Sequence, residues 1–346
     1  MNKGYNVAVV GATGAVGRTI IDILEQRAFP IDELRLFASE RSRGTKIPFK
    51  GASISLDTVS QGAFNNIDLV FFSAGGTVSK AFVPQAVQEG AVVIDNTSVY
   101  RLHPDVPLVV PEVNEDELCR HQGIIANPNC STIQMVAALK PISDAFGLKR
   151  VIVSTYQSVS GAGSKAVFEL ETSVQDYLEV GLSTSQKSPL DEPLNQKNIA
   201  FNVIPQIDVF REGGYTFEEL KMINETKKLL RMPQLAVAAT CVRVPVVTSH
   251  AESVYIEIDS DNISVGDIKH VMREGKGIVI EDDPNSNVYP TPLSAAQKDD
   301  VFVGRIRKDF DHNNGFHMWI VSDNLRKGAA LNSVQIAESL VSKSWI

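Results

Sequence analysis

Apolar positions come in short blocks, and their spacing changes along the chain. Residues 5–10 (Tyr-Asn-Val-Ala-Val-Val) form a run of strand length, after which Ile20, Ile21, Ile23 and Leu24 repeat with the helical period. Strand-like runs at 34–38, 67–73 and 91–95, with a helical stretch at 78–89, continue the alternation. Strands alternating with helices imply a Rossmann-like, doubly wound parallel sheet.

The pattern then changes. A helical stretch runs from Thr132 to about Phe146, with Pro141 expected to kink or split it. Residues 151–156 read as a strand and 157–163 as a polar glycine loop. Residues 164–178 read as an amphipathic helix with Val167, Leu170, Val174 and Leu178 on one face. Residues 181–200, rich in Ser, Pro, Gln and Asn, read as a long loop. Thr216-Phe217-Glu218-Glu219 has the form of a capping box, Thr216 as N-cap and Glu219 reaching back. In the strand-like run 235–244, alternation puts Arg243 on the side of Val237, Ala239 and Cys241. Pro245 ends that run, and His250 follows in a loop before a strand at 253–258. Strands at 301–308 and 316–322 complete an α+β second domain with a mainly antiparallel sheet, and a final amphipathic helix at 329–341 is expected to return to the first domain. The expected division is residues 1–129 plus 325–346, and residues 130–324.

Bulk properties narrow the function classes. A chain of 346 residues accommodates two domains. A net charge of −8 indicates no basic surface for nucleic acid or anionic membrane. No apolar run approaches the roughly 18 residues of a membrane span, and the chain enters its first strand without a signal segment, so a cytoplasmic protein is expected. Three cysteines without paired spacing, and no Cys/His cluster, argue against disulfides and against a metal site.

Three stretches carry candidate chemistry. Gly11-Ala12-Thr13-Gly14-Ala15-Val16-Gly17 lies between the first strand and the first helix, where glycines let backbone N–H groups approach a dinucleotide pyrophosphate; the same turn could serve only to pack strand on helix. After the second strand, Ser39, Arg41 and Ser42 suit the 2′-phosphate of NADP, while Glu40 pulls toward NAD and a solvated basic loop is the plain alternative. Asn127-Pro128-Asn129-Cys130-Ser131-Thr132 puts a thiol at a helix start, where the helix dipole favours a thiolate; packing beneath the helix end is the alternative. Cys119 reads as exposed and Cys241 as a core residue. Arg101, in a loop after the strand at 91–95, could hold an anion or lie on the surface. Glu218 and Lys221 share a helix face, and by spacing alone a surface ion pair is the simpler reading.

Taken together, the glycine turn, the Ser39/Arg41/Ser42 loop, NPNCST at Cys130, STYQSVSGAG around Gln157, the Glu218/Lys221 pair, RVPVVTSH with Arg243 and His250, and DNLRKGAALN at 323–332 resemble the aspartate-semialdehyde dehydrogenase family, most closely its bacterial branch. The resemblance spans nearly the whole chain. It implies a homodimeric, NADP-dependent oxidoreductase that interconverts 4-aspartyl phosphate with L-aspartate 4-semialdehyde and phosphate, in biosynthesis of lysine, threonine, methionine and diaminopimelate. Cys130 is then the nucleophile, His250 the general acid/base, Gln157 an orienting group and Asn129 an oxyanion donor. Arg243 and Glu218 would hold the α-carboxylate and α-amine, and Arg101 with Lys221 the phosphate. Cofactor contacts would come from Gly11, Thr13, Gly14, Ala15, Val16, Gly17, Ser39, Arg41, Ser42, Ser73, Gly75, Gly161 and Asn324. The competing readings are an N-acetyl-glutamyl-phosphate reductase, whose blocked amine needs no Glu218, and a dinucleotide-sensing protein without turnover, which has no use for Cys130, Gln157 and His250 together.

Overall fold

A computed structural model describes residues 4–180 and 198–346, in which two sheets share one long helix between them. The first sheet contains β1 (Tyr5–Val10), β2 (Ile31–Phe37), β3 (Lys46–Phe49), β4 (Ala52–Asp57), β5 (Leu69–Phe72), β6 (Val92–Asp95) and β7 (Ile124–Ala126) in the order β3-β4-β2-β1-β5-β6-β7. Every pairing is parallel except β3 with β4. Alternation along β1 explains its unbroken apolar run. Val7 and Val9 pack with α1 (Ala15–Gln26) on one face, whereas Ala8 and Val10 pack with α2 (Gly76–Gln88) on the other. Strand order reverses about β1, which leaves a crevice at the carboxyl ends of β1, β2 and β5.

The hairpin β3–β4 went unread in the sequence because it is a half-buried edge. Only Ile47, Phe49 and Leu56 are buried, and the turn consists of Lys50 and Gly51, both at positive φ (47° and 76°).

After the short α3 (Pro111–Asn114), α4 (Cys130–Phe146) passes between the two sheets. Its residues 131–139 are all buried, as suits a helix covered on every side. The helix does not end or split at Pro141: Leu139 and Ile142 are locked into the second core, and this packing holds the turn despite the missing N–H.

The second sheet contains β8 (Arg150–Gln157), β9 (Ala236–Arg243), β10 (His250–Glu257), β11 (Ile278–Ile280), β12 (Val301–Lys308) and β13 (Gly315–Ser322) in the order β11-β12-β13-β10-β8-β9. Antiparallel ladders join β12, β13, β10 and β8, and the two edges are parallel, so the sheet is mainly antiparallel as expected. One face is covered by α4, α6 (Phe217–Leu229) and α7 (Val265–Glu274). His250 opens β10 instead of lying in a loop, because its pairing with Ser322 already belongs to the ladder. In α5 (Ser164–Val180), Leu170 is buried, but Leu178 is 63% exposed and leaves the expected apolar face after Val174. Of the loop expected at 181–200, residues 181–197 lie outside the described residues.

Beyond the short α8 (Pro292–Ala295), the chain crosses back through a π-helical turn, Arg326–Ala330, into α9 (Leu331–Ser342). Leu331, Val334, Ile336, Ala337 and Leu340 all join the core of the first sheet. Lys327 is buried in this crossing, and its Nζ donates to Glu112 (2.6 Å), Asn332 (3.0 Å) and Gln335 (2.7 Å), which matches a buried cation with acceptors.

Candidate active site

Cys130 is the first residue of α4 and follows directly on the turn leaving β7. That turn is fixed by Asn127, whose N–H donates to Asp95 O (2.8 Å) and whose Oδ1 accepts from Asn332 Nδ2 (2.7 Å). Gly328, in the π-helical turn, abuts the cysteine: a Cβ there would stand 3.0 Å from Cys130 Cβ. π-helical turns often mark functional sites, and this one brings the returning chain against the thiol. The expectation of a thiolate favoured by the helix terminus is overturned. Burial, and then the Glu218 carboxylate, push the thiol up to about 11 against the pull of Lys221, Arg101 and Arg243.

Four charged residues on one face of α6 organise the site. Thr216 and Glu219 form the expected capping box, which frees Glu218. Glu218 is buried, not on the surface; it pairs with Lys221 at 2.6 Å and accepts from Asn129 Nδ2 (2.9 Å) and Gln157 Nε2 (3.1 Å). Burial works to raise its pKa, yet Lys221 and these donors hold it below the usual carboxylate range, so the group is ionised. Asn129 thus commits an amide hydrogen to Glu218, and its Oδ1 lies 3.8 Å from the Cys130 sulfur. Lys221 also reaches Asp208 (3.2 Å). One turn on, Glu225 accepts the Asn129 N–H (2.6 Å) and pairs with Arg101 (3.1 Å). Arg101 is a buried residue, and donates further to Asn127 O (2.9 Å) and Asn96 O (2.8 Å). Lys228 completes the face by donating to the backbone carbonyls of Arg101, His103 and Val106 at 2.8–2.9 Å.

The opposite wall comes from the ends of β8, β9 and β10. Gln157 is oriented by Thr155, whose Oγ1 donates to its Oε1 (3.0 Å). Arg243 lies on the inner side of β9, as alternation requires, and Nη1 donates to Ser158 O (2.6 Å). His250 is fully buried, and Nδ1 accepts the N–H of Ser158 (3.1 Å). Burial, then the Arg243 guanidinium, push its pKa down to about 3. Both effects favour the neutral imidazole over the imidazolium. Gly161 closes over both residues: a Cβ would stand 3.2 Å from His250 Nε2 and 3.3 Å from Arg243 Nη1.

The dinucleotide cleft lies at the reversal of strand order. A cavity of about 600 Å³ is lined by Gly11, Thr13, Gly14, Ser39, Glu40 and Ser73, together with Thr58, Val59, Val78 and Phe82, which the sequence did not single out. Gly11 has φ 92°, and a Cβ on it would meet the Ser73 backbone at 2.8 Å; one on Gly17 would meet Gly11 O at 2.1 Å. Such a cradle, with Ala15, Val16 and Gly17 opening α1 and no side chain capping it, fits a pyrophosphate. Arg41 and Ser42 sit in the adjoining helical turn Glu40–Ser42, outside the lining, and Glu40 is paired with Arg43 (3.4 Å). Gly75 precedes α2. Gly161 stands against His250, and Asn324 Oδ1 accepts from Ser158, Ser160 and Ser249. Among the described residues no His/Cys/Asp/Glu cluster could hold a metal ion, and no helix is long and apolar enough to cross a membrane.

Comparison with known proteins agrees with this layout. Residues 6–121 match the family "Semialdehyde dehydrogenase, NAD binding domain", and residues 139–327 match "Semialdehyde dehydrogenase, dimerisation domain". The chain is 58% identical to the aspartate-semialdehyde dehydrogenase of Bacillus subtilis (strain 168) over 340 residues, 98% of each chain. It is similar to the crystal structure of aspartate semialdehyde dehydrogenase II from Vibrio cholerae complexed with ASA, with a TM-score of 0.91 and 45% identity over 99% of both chains. It is also similar to the aspartate semialdehyde dehydrogenase with NADP from Candida albicans, with a TM-score of 0.76 and 28% identity over 99% of this chain and 100% of the other.

Proposed function

The chain belongs to the aspartate-semialdehyde dehydrogenase family, and on that premise we propose that it interconverts 4-aspartyl phosphate with L-aspartate 4-semialdehyde and phosphate, using NADP, as a step of amino-acid biosynthesis. The observation that carries this reading is the buried, ionised Glu218 facing the nucleophile's turn and set among Lys221, Arg101 and Arg243. A substrate with an α-amine, an α-carboxylate and a phosphoryl group requires those signs of charge together.

Cys130 Sγ loses its proton and bonds to the acyl carbon, the bond from carbon to phosphate oxygen breaks to release phosphate, and a thioester remains. Gly11, Thr13, Gly14 and Ser73 would hold NADPH in the cleft of the first domain, where it would supply the hydride that takes that carbon to the aldehyde level as the carbon–sulfur bond breaks and the thiol returns. Arg243 holds the α-carboxylate through its planar fork, and Glu218 takes the α-ammonium. Lys221 and Arg101 attract the phosphate, while Gln157 and Asn129 keep Glu218 and the nucleophile's turn in register. We assign residues 1–129 with 325–346 to cofactor binding and 130–324 to catalysis and dimerisation. The packing of α9 on the first core supports that division, and the exposed Ile152 and Tyr156, with the Trp319 ring tilted against Tyr156 at a centroid distance of 5.2 Å, offer the outer face of the second sheet to the other subunit of a homodimer. A cytoplasmic location suits such an enzyme.

The test is turnover of L-aspartate semialdehyde with NADP and phosphate, beside N-acetyl-glutamate semialdehyde. A preference for the free amine that is lost in Glu218→Gln is expected. Equal use of both aldehydes would contradict the reading.

A further inference from the structure

Glu225 faces two donors from different parts of the chain. Its Oε1 accepts from Arg101 Nη1 at 3.1 Å, and its Oε2 accepts the backbone N–H of Asn129, the residue before Cys130, at 2.6 Å. Arg101 comes from the loop after β6 and Asn129 from the turn between β7 and α4, so one carboxylate on α6 joins two loops. All three residues are buried. A guanidinium carries five N–H donors, one on Nε and two on each Nη. In Arg101, Nε–H goes to Asn127 O (2.9 Å), one Nη2 hydrogen to Asn96 O (2.8 Å) and one Nη1 hydrogen to Glu225. One N–H on each Nη is left for an anion among the described residues. The three acceptors stop the side chain from turning, so the direction of the two remaining N–H groups is set before any ligand arrives. Lys228, on the same face of α6, holds the loop itself through the carbonyls of Arg101, His103 and Val106. Arg101 is also near enough to Cys130 for its charge to favour the thiolate.

We propose that Glu225 is a positioning residue for the phosphate-transfer step, a carboxylate strut that fixes the two unused N–H groups of Arg101 relative to the turn carrying Cys130. The inference rests on the reaction proposed above. When the thioester is cleaved by phosphate, an oxygen of hydrogen phosphate bonds to the thioester carbon, the carbon–sulfur bond breaks, and the proton lost by hydrogen phosphate is balanced by the one that returns to the thiol. The attacking oxygen must come within about 3–3.5 Å of that carbon, and the carbon is tied to Sγ. The spacing between the anion site and the sulfur therefore governs the step. Glu225 holds both ends of that spacing, one oxygen on the guanidinium and the other on the N–H just before the nucleophile. Both partners only donate, so both positions require an oxygen.

Steady-state kinetics with L-aspartate semialdehyde, NADP and inorganic phosphate would show the strut as a split between Michaelis constants. Glu225→Gln offers one oxygen to two donors and is expected to raise the KM for phosphate about 10–100-fold, the range for a lost hydrogen bond to a charged group, while the KM for the aldehyde stays within about twofold. Glu225→Asp keeps the charge and both oxygens but is one methylene shorter, so it carries the test if the glutamine variant does not fold. It is expected to raise the KM for phosphate at least about fivefold, because the shorter side chain cannot span both donors. An unchanged KM for phosphate in either folded variant, or equal rises for phosphate and aldehyde, would overturn the proposal. In an Arg101→Lys background the same substitutions are expected to add little, since Glu225 acts through the guanidinium, and full additivity in that double-mutant cycle would also overturn it. Calorimetric titration with inorganic phosphate alone separates the two claims. A wild-type enzyme that binds phosphate more tightly than Glu225→Asp but does not turn over would remove the reaction and leave the strut, whereas equal binding would remove the strut.

Discussion

Cys130 has two environments that pull in opposite directions, and the balance between them is readable as chemistry. The helix terminus was visible in the sequence as the turn NPNCST, but the groups that raise the thiol to about 11 come from elsewhere in the chain, and so the direction of its shift was not. Glu218 is the largest charged contributor, and a substrate ammonium bound to it would offset part of that effect. Alkylation of Cys130 by iodoacetamide should therefore rise about tenfold per pH unit from pH 7 to 9, since the thiolate fraction rises tenfold per unit below the pKa. A plateau reached below pH 8 in mass-spectrometric rate measurements would contradict this. Gly328 and Ser158 show the limit of reading residues singly: one is a glycine because a thiol-bearing helix passes 3.0 Å from where its Cβ would be, and the other acts through its backbone, so neither advertises a role by residue type.

Helix α6 shows what was and was not legible at the scale of one element. Its capping box, start and charged face were plain in the sequence, and Glu218 with Lys221 could be placed on one side of it. That the same side continues through Glu225 and Lys228 into contacts with the first domain could not be seen, because three- and four-residue charge spacing looks alike on a solvated helix and on one pressed against a site. Glu225 is the discriminating case. It is 1% exposed and pairs with Arg101 while holding the Asn129 N–H; burial raises its pKa against the smaller pull of these partners. Glu225→Gln leaves the buried guanidinium without its counter-charge and should cost about 3 kcal/mol in denaturant unfolding. A loss under about 1 kcal/mol, the range of a surface pair, would show that Arg101 is satisfied by backbone carbonyls alone. The unbroken passage of α4 through Pro141 and the small β3–β4 hairpin escaped the sequence for a related reason, since tertiary packing decided both.

Across the whole molecule, the double winding of the first sheet, the mainly antiparallel second sheet and the return of α9 were all legible, because long apolar periodicities survive any detail of packing. The polar interior was not legible. Glu252, two residues beyond His250 on β10, is fully buried, and neither carboxylate oxygen has a hydrogen-bond partner among the described residues. Burial raises its pKa well above the usual value, against a smaller effect of Gln134. With the folded pKa above the unfolded one, its stabilising contribution is complete below about pH 4 and is lost as pH rises. Glu252→Gln should match the wild type in denaturation at pH 4 and exceed it at pH 8; a variant less stable at pH 8 would place an ionised, partnered carboxylate at this position. The proposed reaction turns on one sulfur, so the covalent step on Cys130 is the central claim. It is tested most directly by mixing the enzyme with L-aspartate semialdehyde and NADP in the absence of phosphate and following NADPH formation together with intact mass. The account predicts a burst of about one NADPH per active site, with an aspartyl adduct mapped to Cys130 that added phosphate discharges, and neither in Cys130→Ser. A burst without an adduct, or a Cys130→Ser enzyme that turns over like the wild type, would contradict it.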